Sequence, residues 1–430
     1  MLILLSSGSN ARGQLGHGTL DDSHSFQKCS FDGYPSDNLP SGTTRVVDIA
    51  AGANHTVVLL ELACPTGGLR LEVWGSGDGR RGQLGSKYQR EPTPTLFQKL
   101  ELPISGLEGY SFKFIAATWE TSYIVLCCDG RDDLVISMGS DDYGDLGIGD
   151  LHGTGQLLRK DFNVVSFDGL FCKETSTAKD SHIVVDAITA GQRHVILSLR
   201  VAVEGKSEQV LVGWGMSRHG QLGPSTSSSK IPAPQIIAKP LADDPVTASS
   251  LGMHHSVLLH ASGNISALGS DRKGQLQGVS KIKNVGDISC TWNGTYCTVR
   301  DDKAWSILSS GSNTHGQLGR ETGDSPSAEV VNFPLTLDTL GTSVHVVCGS
   351  EHVLALIRSS SPNSGHKSPE VWGWGWNEHG NLGLGHTEDV KFPVRIWSPR
   401  NEVASPMIRS VHGVWAGCGT SWICFQCDSD

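Results

Sequence analysis

Seven times along its 430 residues the chain returns to one four-residue element, Gly-[Gln/Asp/Asn]-Leu followed by Gly or, once, Gln. The copies are Gly13-Gln14-Leu15-Gly16, Gly82-Gln83-Leu84-Gly85, Gly144-Asp145-Leu146-Gly147, Gly220-Gln221-Leu222-Gly223, Gly274-Gln275-Leu276-Gln277, Gly316-Gln317-Leu318-Gly319 and Gly380-Asn381-Leu382-Gly383. Read singly, the stretch EVWGSGDGRRGQLG (residues 72 to 85) resembles a phosphate-cradling loop, but seven copies make its glycines turn residues of a repeated module.

A second element alternates with the first: a short turn leading into an apolar strand, as in AGANHTVVLL from Ala51 and CGSEHVLALI from Cys348, also seven times. Successive copies of the first element lie 42 to 76 residues apart. A stacked solenoid would hold that spacing nearly constant, whereas radially arranged units tolerate loops of different length. Each unit reads as four short strands, and no stretch of twelve or more residues carries helical periodicity with caps. The expected fold is therefore all-β, a seven-bladed β-propeller occupying residues 1 to 430 as a single domain. Loop insertions are expected near 19–45, 148–185, 224–246 and 358–369. Residues 2 to 8 are expected to pair with residues 420 to 426 and close the ring, which removes two sheet edges.

Composition agrees with many tight turns, with 52 glycines and 38% hydrophobic residues. The net charge of -10 disfavours general attraction to nucleic acid or an anionic membrane. MLILLSSGSN at the N-terminus has neither a basic lead nor the length of a membrane span, and eleven dispersed cysteines fit reduced thiols. A cytoplasmic and nuclear location follows as the expectation, with the sequons at Asn54, Asn264 and Asn293 unused.

The units resemble the repeats of the regulator of chromosome condensation, which combine W-G-x-G-x-x-G-Q-L-G with a later G-x-x-H and an apolar strand. The resemblance covers essentially the whole chain. Within that superfamily the chain is most similar to the fungal α-tubulin suppressor and killer-toxin-insensitivity propellers. That likeness rests on Thr118-Trp119-Glu120-Thr121 and Thr291-Trp292-Asn293-Gly294 in place of G-x-x-H, on WGWGWNEHGN (372 to 381) and on GCGTSW (417 to 422). It implies a non-catalytic protein that forms a heterodimer with a small CSL-type zinc- or iron-binding protein, supporting diphthamide synthesis on elongation factor 2. It also implies support of the Elongator complex in wobble-uridine modification of transfer RNA. The founding family member offers the alternative of a guanine-nucleotide exchange factor for a Ran-like small GTPase. A targeting propeller for a ubiquitin ligase or cytoskeletal complex is a third reading.

No nucleophile elbow, H-E-x-x-H or phosphate loop with a correctly placed Lys-Ser or Lys-Thr occurs, so no catalytic residue, cofactor or metal is expected. His55, His194, His255 and His352 repeat one position on four blades and are read as structural. Cys424-Phe425-Gln426-Cys427 has metal-ligand spacing, but on a strand its sulfurs would face opposite sides. Trp74, Trp214, Trp372 and Trp374 are expected to pack between blades. The partner-binding candidates are Trp119, Glu120, Trp292, Asn293, Trp376, Glu378, His379 and Trp422. By its place after an outer strand, the Trp376 loop is expected on the rim opposite the Trp119 and Trp292 turns.

Overall fold

The computed structural model describes the chain except residues 36, 91, 103–105, 150–160, 172–181, 204–205, 224–227, 302–303, 322–326, 335–336, 339–341, 360–368, 398–407 and 428–430. Seven antiparallel sheets are present, each with its first strand nearest the central axis. Blade 1 comprises Thr43–Ala51, His55–Ala63, Leu69–Gly77 and Gln98–Lys99, from the axis outward. Blades 2 to 6 follow in sequence, their innermost strands being Ser111–Ala117, His182–Ala190, Val246–Leu251, Val285–Thr291 and Thr342–Cys348. Blade 7 is built from both chain ends. Its order is Ile408–Ala416, Thr420–Cys427, Leu2–Gly8 and Ser23–Lys28.

Ring closure occurs in the expected register, from Leu2 opposite Gln426 to Gly8 opposite Thr420. The terminal ammonium of Met1 adds a bond to the Cys427 carbonyl at 2.7 Å.

Second strands are apolar on both faces because each blade is sandwiched between two others. Val57, Val58, Leu59 and Leu60 are all completely buried. Alternate residues feed different interblade cores: Val58 and Leu60 pack with Leu4, Trp422 and Cys424, whereas Val57 and Leu59 pack with Ile124 and Ile136 of blade 2. At about 1.5–3 kcal/mol for each fully buried aliphatic side chain, these inter-blade cores supply the main cohesion of the ring. Cys424 and Cys427 divide in the same way between two cores, so the Cys-x-x-Cys spacing does not converge on one point.

The repeated Gly-Gln-Leu-Gly element is a turn locked by its own side chains. The Gln14, Gln83, Gln221, Gln275 and Gln317 amide oxygens each accept the backbone N–H two residues upstream, at 2.7–3.0 Å. Leu15, Leu84, Leu146, Leu222, Leu318 and Leu382 are buried. The closing glycine has a steric reason: Gly147 and Gly319 lie against the indoles of Trp214 and Trp374, where a Cβ would come within 2.8 Å of Nε1. Gln277 takes that place in blade 4, which has three strands, and a short 3-10 turn, Val279–Lys281, stands where an outer strand would run.

The expected insertions prove partly to be blade. Residues 19–45 hold the outer strand Ser23–Lys28, 148–185 hold Asn163–Val165, and 224–246 hold Lys230–Ala238. These outer strands have one neighbour and a wet face, so they lack the apolar run that marks an inner strand. Most of 358–369 lies outside the described residues.

Candidate partner-binding rim

Two kinds of connection reach one face of the ring: the turn between first and second strands, and the Gly-Gln-Leu-Gly loop between third and fourth. Strands one and three run the same way, so both connections emerge on the same side. The expectation that the Trp376 loop lies on the opposite rim is thereby corrected. The Trp376 N–H bonds the Glu351 carbonyl of the inner turn at 2.9 Å, as Ser140 bonds Glu120 and Asp78 bonds Asn54 in their blades.

The inner turns are chained to one another by backbone hydrogen bonds. Ala53 donates to Trp119, Trp119 to Gln192, Gln192 to Gly252, Met253 to Trp292, Trp292 to Ser350 and Ser350 to Gly417, at 2.7–3.4 Å. This collar fixes the backbone from which the rim side chains project.

In blades 1, 3, 4 and 6 the turn follows G-x-x-H, with the imidazole folded inward. His194 Nε2 meets Ser256 Oγ at 2.9 Å, His255 meets Thr295 at 3.2 Å and His352 meets Ser421 at 3.0 Å, each in the next blade. His55 has no side-chain partner among the described residues, nor has Ser122, the corresponding hydroxyl of blade 2. Burial holds His55, His255 and His352 down to about 4 and His194 to about 3, so all four are neutral struts. Gly52, Gly191, Gly252 and Gly349 are required because each imidazole lies where a Cβ would sit.

Blades 2 and 5 replace that histidine with Thr121 and Gly294, and a tyrosine two residues later fills the interior. The fully buried Tyr123 hydroxyl bonds the Asp145 carbonyl, which also accepts Trp214 Nε1 at 2.9 Å. Tyr296 repeats this at 2.6 Å on the Gln317 carbonyl, which accepts Trp374 Nε1 at 2.8 Å. The sequence signal is T-W-x-[T/G]-x-Y.

Those two blades carry Trp119 and Trp292, whose ring centroids are 5.6 Å apart with planes tilted 46°. Two blades separate them on one side and three on the other, so the contact reaches across the mouth of the central channel. Both indoles are partly buried. On one flank Arg193 lies 5.9 Å from the Trp119 ring and 4.0 Å from the Tyr143 ring. On the other, Glu351 accepts Asn293 Nδ2 at 2.7 Å and Gln317 Nε2 at 2.8 Å, while its burial raises the carboxyl above the usual range.

A second group surrounds Trp376. His379 stands edge-on to its ring at 5.3 Å, and His315 lies at 6.3 Å. Glu378 accepts Trp376 Nε1 at 3.2 Å, and His379 pairs with Asp22 at 2.7 Å. The Glu351 turn joins this group to Trp292 and Asn293. Glu120 is part-exposed beside Arg80, which is itself held by Asp78 at 2.6 Å.

Trp422 is a correction. It is completely buried on the second strand of blade 7, opposite Ser6 and Trp415, and cannot touch a partner. Thr420 takes the histidine place in that blade, so Trp422, two residues later, corresponds to Tyr123 and Tyr296 as core filler. Tyr143, Arg193 and Glu351 were not among the sequence candidates. Aligning the inner turns would have found two of them, because Arg193 and Glu351 occupy the position of Glu120 and Asn293. No group of three or more His, Cys, Asp or Glu among the described residues is arranged to hold a metal.

Comparison with known proteins agrees with this geometry. The sequence model of the regulator of chromosome condensation (RCC1) repeat matches residues 4–59, 306–356 and 370–421. The ultraviolet-B receptor UVR8 of Arabidopsis thaliana is 26% identical, the alignment covering 98% of this chain and 83% of that protein. The secretion-regulating guanine nucleotide exchange factor of Bos taurus is 26% identical, over 97% of this chain and 81% of the relative. Human WBSCR16 shares the fold, with a TM-score of 0.70 at 16% identity and 100% coverage of both chains. Yeast RCC1 (Prp20), solved bound to Kap60, has a TM-score of 0.52 at 17% identity, over 100% of this chain and 90% of that one. The chain is a seven-bladed β-propeller, three stretches of which match the regulator of chromosome condensation repeat.

Proposed function

We propose that the protein works through its turn rim as a non-catalytic regulator of a protein partner, and that this partner is a Ran-like small GTPase whose nucleotide exchange it promotes. The observation that carries the reading is the Trp119–Trp292 pair on a hydrogen-bonded collar, flanked by Arg193 on one side and Glu351 on the other. Preorganised aromatic residues ringed by charge are the composition of binding hot spots. The similarity to an exchange factor over nearly the whole chain supports the choice of partner class. Exchange requires only differential binding of the nucleotide-free GTPase, so no nucleophile is called for. Release of labelled GDP from a Ran-like GTPase should accelerate with the wild-type chain and fall back with Trp119→Ala or Trp292→Ala. No acceleration by the folded wild-type protein rejects the GTPase.

A second reading is favoured by the two T-W turns, which carry the resemblance to the fungal propellers. It makes the partner a small CSL-type metalloprotein, in support of diphthamide synthesis and Elongator-dependent wobble-uridine modification in the cytoplasm and nucleus. Co-purification of such a protein with the tagged chain, lost in Trp292→Ala, is its expected result. Absence from the wild-type preparation rejects it.

A further inference from the structure

Unpaired cations gather most densely in one sector of the rim. On the side of blades 5 to 7, His315 pairs with Asp389 at 2.8 Å and His379 with Asp22, and the exposed Arg12 stands alone without an ion pair among the described residues. On the side of blades 3 and 4, Arg193, Arg218, Arg272 and Lys273 make no ion pair among the described residues, and Arg218, Arg272 and Lys273 are exposed. Between them stand His219 and His254, with ring centroids 4.2 Å apart and planes tilted 43°. Nδ1 of His254 is buried without a hydrogen-bond partner.

Such a cluster is unfavourable in the free protein. Burial and then Arg272 and Arg218 depress His219; burial, His219 and Arg272 depress His254. Neighbouring acids form no ion pair with it among the described residues: Asp271, next to Arg272, accepts the Leu276 N–H at 2.8 Å. Asp145 is buried, with its carboxyl raised by that burial to about 7, and Glu351 is engaged by Asn293 and Gln317. In a chain of net charge -10, a concentration of unmatched donors beside the aromatic pair is a surface fitted to an anion. The Tyr143 ring under the Arg193 guanidinium fixes one fork of donors in place.

We propose that Arg193, Arg218, His219, His254, Arg272 and Lys273 form the seat for an acidic polypeptide segment, a run of Asp and Glu on a protein partner whose apolar residues meet Trp119 and Trp292. This rests on the reading of the turn rim as a partner surface. Carboxylates suit the site because Arg forks bind them bidentately, and bound anions would draw protons onto the histidine pair.

The test is fluorescence anisotropy of fluorescein-labelled octaglutamate titrated with the full chain, beside octalysine and a single-stranded oligonucleotide of similar length. Octaglutamate should bind, weaken as salt rises from about 0.05 M to about 0.5 M, and lose at least ~10-fold in affinity in Arg218→Glu/Arg272→Glu. Arg218→Gln/Arg272→Gln should weaken it less, and melting temperatures establish that both variants fold. Wild-type affinity in the folded charge-reversal variant overturns the proposal, as does tighter binding of the oligonucleotide. Should Trp292→Ala abolish docking of the GTPase or metalloprotein while the charge reversal leaves it intact, the partner rim stands and the acidic seat falls. If neither change affects docking, both fall.

Discussion

Blades 1, 3, 4 and 6 and blades 2 and 5 solve one packing problem in two ways. The first set fills the space behind the inner turn with a histidine from the turn itself, bridged in three blades to a hydroxyl next door. The second fills it from the strand, with Tyr123 and Tyr296, and each of its turns bears a tryptophan. Equivalent positions in the histidine blades carry Ala53, Gln192, Met253 and Ser350. Regular blades hold the ring together, and the two irregular ones furnish the tryptophan pair at the channel mouth. The aromatic pair on which the proposed function rests thus lies where the repeat is broken, and both core filler and rim aromatic come from one six-residue stretch.

The largest expected break in this comparison is acidification. Each buried imidazole has a folded pKa of about 3 or 4 against 6.5 when exposed, so the unfolded chain binds more protons in between. Stability is fully present above about pH 6.5 and is lost as pH falls toward 4, by roughly 3 kcal/mol for each histidine. Denaturant unfolding at stepped pH should show this loss. It should shrink in a His352→Gln variant; an unchanged slope would mean that His352 is not a neutral strut.

Next in size is Tyr296→Ala. Emptying a fully buried aromatic site should cost about 3–5 kcal/mol in chemical denaturation and loosen the turn holding Trp292. Trp292→Ala should divide the two roles the other way, losing about 2 kcal/mol of partner affinity by calorimetry while the melting temperature moves little. A large fall in melting temperature would make Trp292 a packing residue. The smallest effect belongs to Tyr296→Phe, about 1 kcal/mol, because Trp374 still bonds the Gln317 carbonyl.

The architecture was readable because the turn chemistry repeats: a glycine held at positive φ and a glutamine that ties its own loop leave the same letters in almost every blade. Outer strands left no such mark. Gln98–Lys99 and Glu329–Val330 are two residues long, too short to show an alternation. Trp119, Trp292 and Trp376 stood out as departures from the pattern and do lie on the rim. Trp422 stood out equally and does not, since one strand register separates a turn from a core. Arg193, Arg218 and Arg272 were silent because a loop-tip arginine is ordinary until the ring brings three loops side by side.

The strand Leu2–Gly8 has its mate at the far end of the chain, and the Met1–Cys427 bond that finishes the seam spans 426 residues. During synthesis Leu2–Gly8 can therefore pair at once with Ser23–Lys28, but its other edge stays open until the second strand of blade 7 has left the ribosome. Every earlier blade can form with its neighbours as it emerges, but the collar of inner turns cannot be complete before that moment. The rim is consequently complete only once the seam has formed, and a partner that recognises it can distinguish a closed ring from an open one.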